Sequence, residues 1–122
     1  MTKAASIHEF WSSFGIAAYE ESAVPSDAEM PYITYELVTD SAGEESAMSA
    51  SLWYEDASWV AINEKTEEIS AYIGIGGVML MCDGGRIRIR RASPFAVSVK
   101  EKEKKDVRHK ALNVFAMYLT HN

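Results

Sequence analysis

Cysteine occurs once in this chain of 122 residues, proline three times, and only two basic residues, Lys3 and Lys65, fall in its first 85 positions. With Cys82 alone there can be no intrachain disulfide, which fits a reducing compartment. No apolar run approaches the roughly 20 residues a membrane-spanning helix needs. Residues 1–20 lack the basic start and apolar centre of a signal peptide. The expectation is a soluble chain, intracellular where it is made and with no membrane partner. His8, His109 and His121 are far apart, and none has a cysteine or carboxylate at metal-ligand spacing, so neither a metal nor a cofactor is expected. His8-Glu9 reads as exposed helix surface. Cys82 lies in an apolar strand without an activating base and reads as a buried, inert thiol. The serines sit in no nucleophile-elbow context. Gly74-Ile75-Gly76-Gly77 follows a helix and opens a strand, the reverse of a phosphate loop, so it reads as a helix C-cap. Nothing here supports catalysis, and the chain reads as a non-enzyme. The cheapest check on that reading is whether His109, Asp106 and a serine meet in a cleft.

What is present is a globular composition, 48% hydrophobic and 25% charged, at the size of a single domain spanning residues 1–122. A chain of this length buries roughly two-thirds of its unfolded surface. The net charge of -6 hides a division: residues 1–85 carry a balance of -13 and residues 86–122 a balance of +7. In one reading the basic strands lie beside an acidic helix of the same subunit and neutralise it locally. In the other, the acidic face of one copy meets the basic face of the next, head to tail, a contact that closes into a ring if the rotation allows. Nucleic acid is disfavoured, because phosphate would be repelled everywhere outside the arginines.

Those arginines lie in the most informative stretch. Arg86, Arg88 and Arg90 alternate with Ile87 and Ile89, a period of two that predicts a strand with one wet and one buried face. Asp83-Gly84-Gly85 supplies a tight turn back to the apolar run 77–82, read as a buried strand, so the two predict a β-hairpin. Three like charges about 7 Å apart along a strand face repel unless paired. At Arg91-Ala92-Ser93-Pro94 the alternation breaks, and the ladder should end, kink or move to an edge there, since proline has no N–H to donate.

Elsewhere, Ile7, Phe10, Trp11 and Phe14 predict a short helix. Residues 20–31 read as a loop, residues 32–38 as the first strand, Thr39–Glu45 as an acidic loop, and residues 47–55 as a half-buried second strand. Asp56 or Ser58 can cap a helix whose apolar stripe is Trp59, Ile62, Thr66, Ile69 and Ile73, with Glu64, Glu67 and Glu68 on its other side. Lys100 to Asp106 reads as a solvated connector. Val107, Ala111, Val114, Phe115, Tyr118 and Leu119 fit a helix or a strand buried on both faces.

The order of MPYITYEL, a second strand, a helix, the DGGRIRIRRASPFAVSV hairpin and a closing NVFAMYLT segment resembles the small tail-terminator, or tail-completion, proteins of long-tailed bacteriophages and their prophages. Arg91, Pro94 and Phe95 match the family's R-x-x-PF element, and Asn113, Ala116 and Leu119 its N-x-x-A-x-x-L segment; the resemblance spans roughly residues 30–120. The Thr39–Glu45 loop and the KEKEKKD connector depart from it. The resemblance implies an α+β fold: a single mixed, mostly antiparallel sheet of about four to five strands packed against one long helix, with a short N-terminal helix and the last segment a strand. It also implies a homo-oligomeric ring, a hexamer, that caps the tail tube and joins it to the head. Its partners would be other copies, tail-tube and head-connector proteins, with DNA only as passing cargo. Its place would be the host cytoplasm during assembly and then the virion tail. Arg86, Arg88, Arg90 and Arg91 would meet Glu64, Glu67 and Glu68 of a neighbour. The alternatives are a head-side connector or minor capsid component, or a small cytosolic ligand-binding domain. A pocket with convergent polar groups would favour the last of these.

Overall fold

In the computed structural model, residues 1–39, 44–102 and 104–120 are described. The expected acidic loop at Thr39–Glu45 therefore lies largely outside the described residues, as does His121. The elements run α1 (Lys3–Ser12), β1 (Ala17–Glu20), β2 (Tyr32–Tyr35), β3 (Glu45–Glu55), α2 (Val60–Ile73), β4 (Val78–Cys82), β5 (Gly85–Val99) and β6 (Val107–Thr120). The six strands form one curled sheet in the order β1-β2-β3-β6-β5-β4. Only β1 and β2 are parallel neighbours.

This corrects the expected fold class. The protein is a six-stranded, mostly-strand half-barrel with two short helices, not four to five strands against one long helix. Two local causes account for the difference. α2 has 14 residues, and Gly74, at φ +69°, ends it. Its N-cap is Trp59, with no side-chain cap bond, so neither Asp56 nor Ser58 caps it as expected; Ser58 Oγ accepts instead from Val60 N (3.1 Å). β1 is a four-residue edge strand with no alternation to betray it. β6 is a strand 14 residues long, as the family resemblance implied.

α1 touches both β1 and β4, the two outermost strands, so the curl brings opposite edges of the sheet within reach of one helix. α2 lies against β3, β5 and β6 between them. Both helices thus fill the inner side of the curl. The inner face alternates strictly, as a period of two requires: Met48, Ala50 and Leu52 on β3, Ile87 and Ile89 on β5, and Leu112, Val114, Ala116 and Tyr118 on β6 are all buried. Ile7, Phe10 and Trp11 of α1 and Ile62, Ile69 and Ile73 of α2 close the core from above.

The predicted hairpin β4–β5 forms, with Gly85 paired to Cys82 and the turn reduced to Asp83-Gly84. The ladder between β5 and β6 is interrupted between Arg91 and Ala96 and then resumes. β4 pairs only as far as Ile89, so Pro94 stands where β5 has no partner on that side among the described strands. The run 77–82 is not a buried strand. Met79 and Met81 alternate outward and are 47% and 71% exposed, while Cys82 is half-buried.

Tyr118 is enclosed on the inner face and donates its hydroxyl to the Val38 carbonyl. Burial pushes its phenol up to about 12, and burial also raises Tyr35 and Tyr54 above the ordinary tyrosine value. An unfolded tyrosine ionises near 10, so between about pH 10 and 12 the unfolded chain releases this proton first. The stability contributed by Tyr118 is complete below pH 10 and lost as pH rises through 12. Denaturant midpoints measured across that range should fall for the native protein, and Tyr118→Phe, lower at neutral pH, should fall less steeply.

Candidate interaction surface

Among the described residues the outer face of the sheet carries no helix, and strand register sorts its side chains into rows. At one end Met79, Arg88, Met117 and Glu45 lie side by side across β4, β5, β6 and β3, next to a row of Met81, Arg86 and Leu119. The predicted arginine alternation is therefore real, and the four arginines differ in what holds them. Arg90 forks onto Glu45, its Nε donating to Oε2 and its Nη2 to Oε1 (2.7 Å), and lies 4.8 Å over the Phe115 ring. That guanidinium holds the Glu45 carboxyl below its usual range. Arg91 points to the opposite, helix-covered side, where Nη1 donates to Ser70 Oγ (2.7 Å). Arg88 Nη2 donates to the Gly76 carbonyl (3.1 Å). Arg86 is exposed, without a hydrogen bond or ion pair among the described residues. The uncommitted charge is thus Arg86 and Arg88, flanked by exposed methionines and Leu119.

The acidic counterparts divide similarly. Glu68 is held by Lys65 (3.0 Å), whose ammonium also donates to the Phe14 carbonyl (2.7 Å). Glu64 and Glu67 are exposed on the outward side of α2 and make no ion pair among the described residues. They lie on the helix side of the sheet, and Arg86 and Arg88 on the other.

The other end of the outer face holds an arrangement invisible in the sequence. Tyr32, Trp53, His109 and Val99 form one row, and Thr34, Ser51, Ala111 and Val97 the next. The His109 ring stacks on Trp53 (3.8 Å, 16°). Its Nδ1 is 2.8 Å from Glu101 Oε1 and its Nε2 is 2.8 Å from Ser51 Oγ. A carboxylate only accepts, so Nδ1 carries a proton, and in the neutral ring Nε2 accepts from the serine hydroxyl. Trp53 Nε1 donates to Thr34 Oγ1 (3.0 Å). The connector and the 21–31 loop rise on either side to form a groove of about 840 Å³, lined by Glu21, Val24, Met30, Tyr32, Trp53 and the lysines 100, 102 and 104, among others.

This serine–histidine–carboxylate chain has the hydrogen-bond order of an acyl-transfer triad. Glu101 takes the place expected of Asp106, whose own carbonyl accepts from Asp56 N (2.7 Å). Acyl transfer also needs free N–H donors aimed at an oxyanion. Ser51 lies inside β3, paired with Thr34 of β2 on one side and Ala111 of β6 on the other, so the amides around it belong to ladders. What the geometry does is fasten the connector to the sheet. Among the described residues, no three His, Cys, Asp or Glu side chains stand where they could hold a metal, and no helix is long and apolar enough to cross a membrane.

No known family profile matches the chain. No curated protein matches it either. Among solved structures, the fold is similar to that of a chain in the virion of a native gene transfer agent particle, with a TM-score of 0.65 and 18% identity over 94% of this chain and 92% of that one. At that identity the likeness is one of fold, and it extends over nearly the whole length of both chains.

Proposed function

We propose that this chain is a structural component of a phage-type virion, acting by surface matching: copies join head to tail into a ring that caps the tail tube and connects it to the head. The fold likeness to a virion chain supports the class of assembly. The observation that carries the ring is where uncommitted charge lies. Arg86 and Arg88 project from the outer face of the sheet, whereas Glu64 and Glu67 project from the helix side. Two complementary patches on opposite sides of one subunit cannot satisfy each other, but they can meet between successive copies, a heterologous contact that closes into a ring where the rotation allows. Exposed Met79, Met81 and Leu119 around the arginines add the apolar area such a contact buries, and methionine and arginine are both enriched at interfaces. Arg90 and Arg91 contribute by holding Glu45 and Ser70, which keeps the strand surface in shape.

Sedimentation across salt concentrations tests this. The native chain should associate at low ionic strength and dissociate as screening grows. Arg86→Glu with Arg88→Glu should weaken association at least about tenfold, and Glu64→Arg with Glu67→Arg in a mixed sample should restore it. Unchanged association in the double variant would remove these arginines from the interface. A native chain that stays monomeric at every salt and protein concentration would remove the self-assembled ring.

A further inference from the structure

We infer that the groove between the 21–31 loop and the connector is a docking site for an extended acidic peptide segment of another protein, one bearing an apolar or aromatic residue among its carboxylates. This site lies at the opposite end of the outer face from Arg86 and Arg88, and only the choice of a different protein as its occupant rests on the ring reading.

The connector wall supplies the charge. Lys100, Lys102 and Lys104 are exposed, line the groove, and make no ion pair among the described residues. The carboxylate between the first two, Glu101, is turned onto His109 instead of neutralising its neighbours. Three ammonium groups lining one groove, without an ion pair among the described residues, attract a carboxylate-bearing segment. The floor supplies apolar contact. Trp53 has its indole N–H on Thr34 and one face under His109, so no unsatisfied polar atom of it faces the occupant. Tyr32 beside it is braced edge-on by Tyr19 (5.8 Å, 72°), and Met30 and Val24 complete an adaptable far wall.

The site is also held in shape before anything binds. The connector is fastened by Glu101 to His109, by the Asp106 carbonyl to Asp56 N, and by the Lys105 carbonyl, which accepts from Arg108 Nη1 (3.4 Å). A preformed wall lowers the ordering cost of binding. About 840 Å³, walled on one side by Val24 and Met30, admits only a few residues of an extended segment. In the ring reading the acidic row of α2 is taken by the arginine end, which leaves a different protein as the source.

The test uses a blocked pentapeptide of four glutamates around a central phenylalanine, with its glutamine counterpart and a ten-nucleotide oligothymidylate as comparisons. The readout is the Trp53 indole N–H resonance, assigned among the three tryptophans with W53F. The acidic peptide should shift that resonance saturably. The triple variant Lys100→Gln, Lys102→Gln, Lys104→Gln, which touches only exposed side chains, should keep its thermal midpoint and bind roughly tenfold or more weakly. The Arg86→Glu, Arg88→Glu variant should bind as the native protein does, which separates this site from the ring. The inference is overturned if the glutamine peptide binds equally well, if the oligothymidylate binds more tightly, if the native chain's own self-association produces the same shift, or if nothing moves up to about 1 mM peptide.

Discussion

Gly77→Ala is expected to lower stability by about 2–4 kcal/mol, although it adds a single methyl group. Gly77 has φ +82°, where an L side chain is strained. A Cβ there would lie inside contact distance of the Ile89 carbonyl oxygen, 3.1 Å from Arg90 Cβ and 3.3 Å from Arg90 Cα. Two of these neighbours are backbone, so no rotamer change relieves the overlap. β4 would have to draw away from β5 at Val78–Ile89, the last pair of the hairpin, and would carry the Met79–Arg88 row with it. Gly76, one residue earlier, has no positive φ, and a methyl group added to it would meet nothing within 4 Å, so Gly76→Ala is the matched control. Urea unfolding should show a large fall in midpoint for Gly77→Ala and almost none for Gly76→Ala. Equal midpoints would mean that the turn into β4 is looser than the geometry requires.

The second large effect belongs to Trp11. Its side chain is 1% exposed, and Phe10 beside it meets its ring edge-on (4.8 Å). Phe10 and Phe14 in turn pack against Tyr72 of α2, with Phe14 at 5.4 Å. Trp11→Ala should cost about 3–5 kcal/mol, the range for emptying a large aromatic site in a core that collapses only in part. The loss should show at the edge of the sheet as well as in the midpoint. α1 donates Ser6 Oγ to the Met81 carbonyl (2.7 Å), and Asp83 N donates to the Met1 carbonyl (2.6 Å). The first bond covers a carbonyl of β4 and the second an amide just past its end, at an edge strand that would otherwise offer itself for pairing. Amide exchange in β4 should therefore accelerate more than in β3. Protection lost equally in both strands would mean that α1 is part of the same cooperative unit and not a separate cover.

How far the sequence carried depended on whether a segment buries one face or two. Arg86 to Arg90 was legible because one face meets water and the other meets α2, which writes a period of two into the residues themselves. β6 was not, because Leu112, Val114 and Tyr118 are buried inside while Ala111, Phe115 and Met117 are half-buried outside. Apolar residues at nearly every position satisfy a helical and an extended pattern equally. β1 was hidden by its length, since four residues paired in parallel along one edge give no period to detect. The apolar run before the hairpin misled for a related reason. Met79 and Met81 are apolar yet face outward, and only the topology reveals that β4 is an edge strand with an uncovered face. The arginines were visible, but Glu45 as the partner of Arg90 was not, because 45 residues separate them and only the β3–β6–β5 register joins them. Ser51, Glu101 and His109 were unreadable on the same ground. Their meeting depends on Trp53 standing opposite His109, a fact of strand pairing with no local signature.

The place of β6 has a consequence for timing. It is made after every other strand, yet it stands between β3 and β5 and supplies the ladders that join them. A nascent chain that has not reached residue 107 holds two groups of strands that no ladder joins, the trio β1, β2 and β3 and the pair β4 and β5, with the edges of β3 and β5 bare. Closure is therefore a late, long-range event, slow by the general dependence of folding rate on contact separation. A chain interrupted before residue 107 has neither ladder of β6 and so no completed outer face.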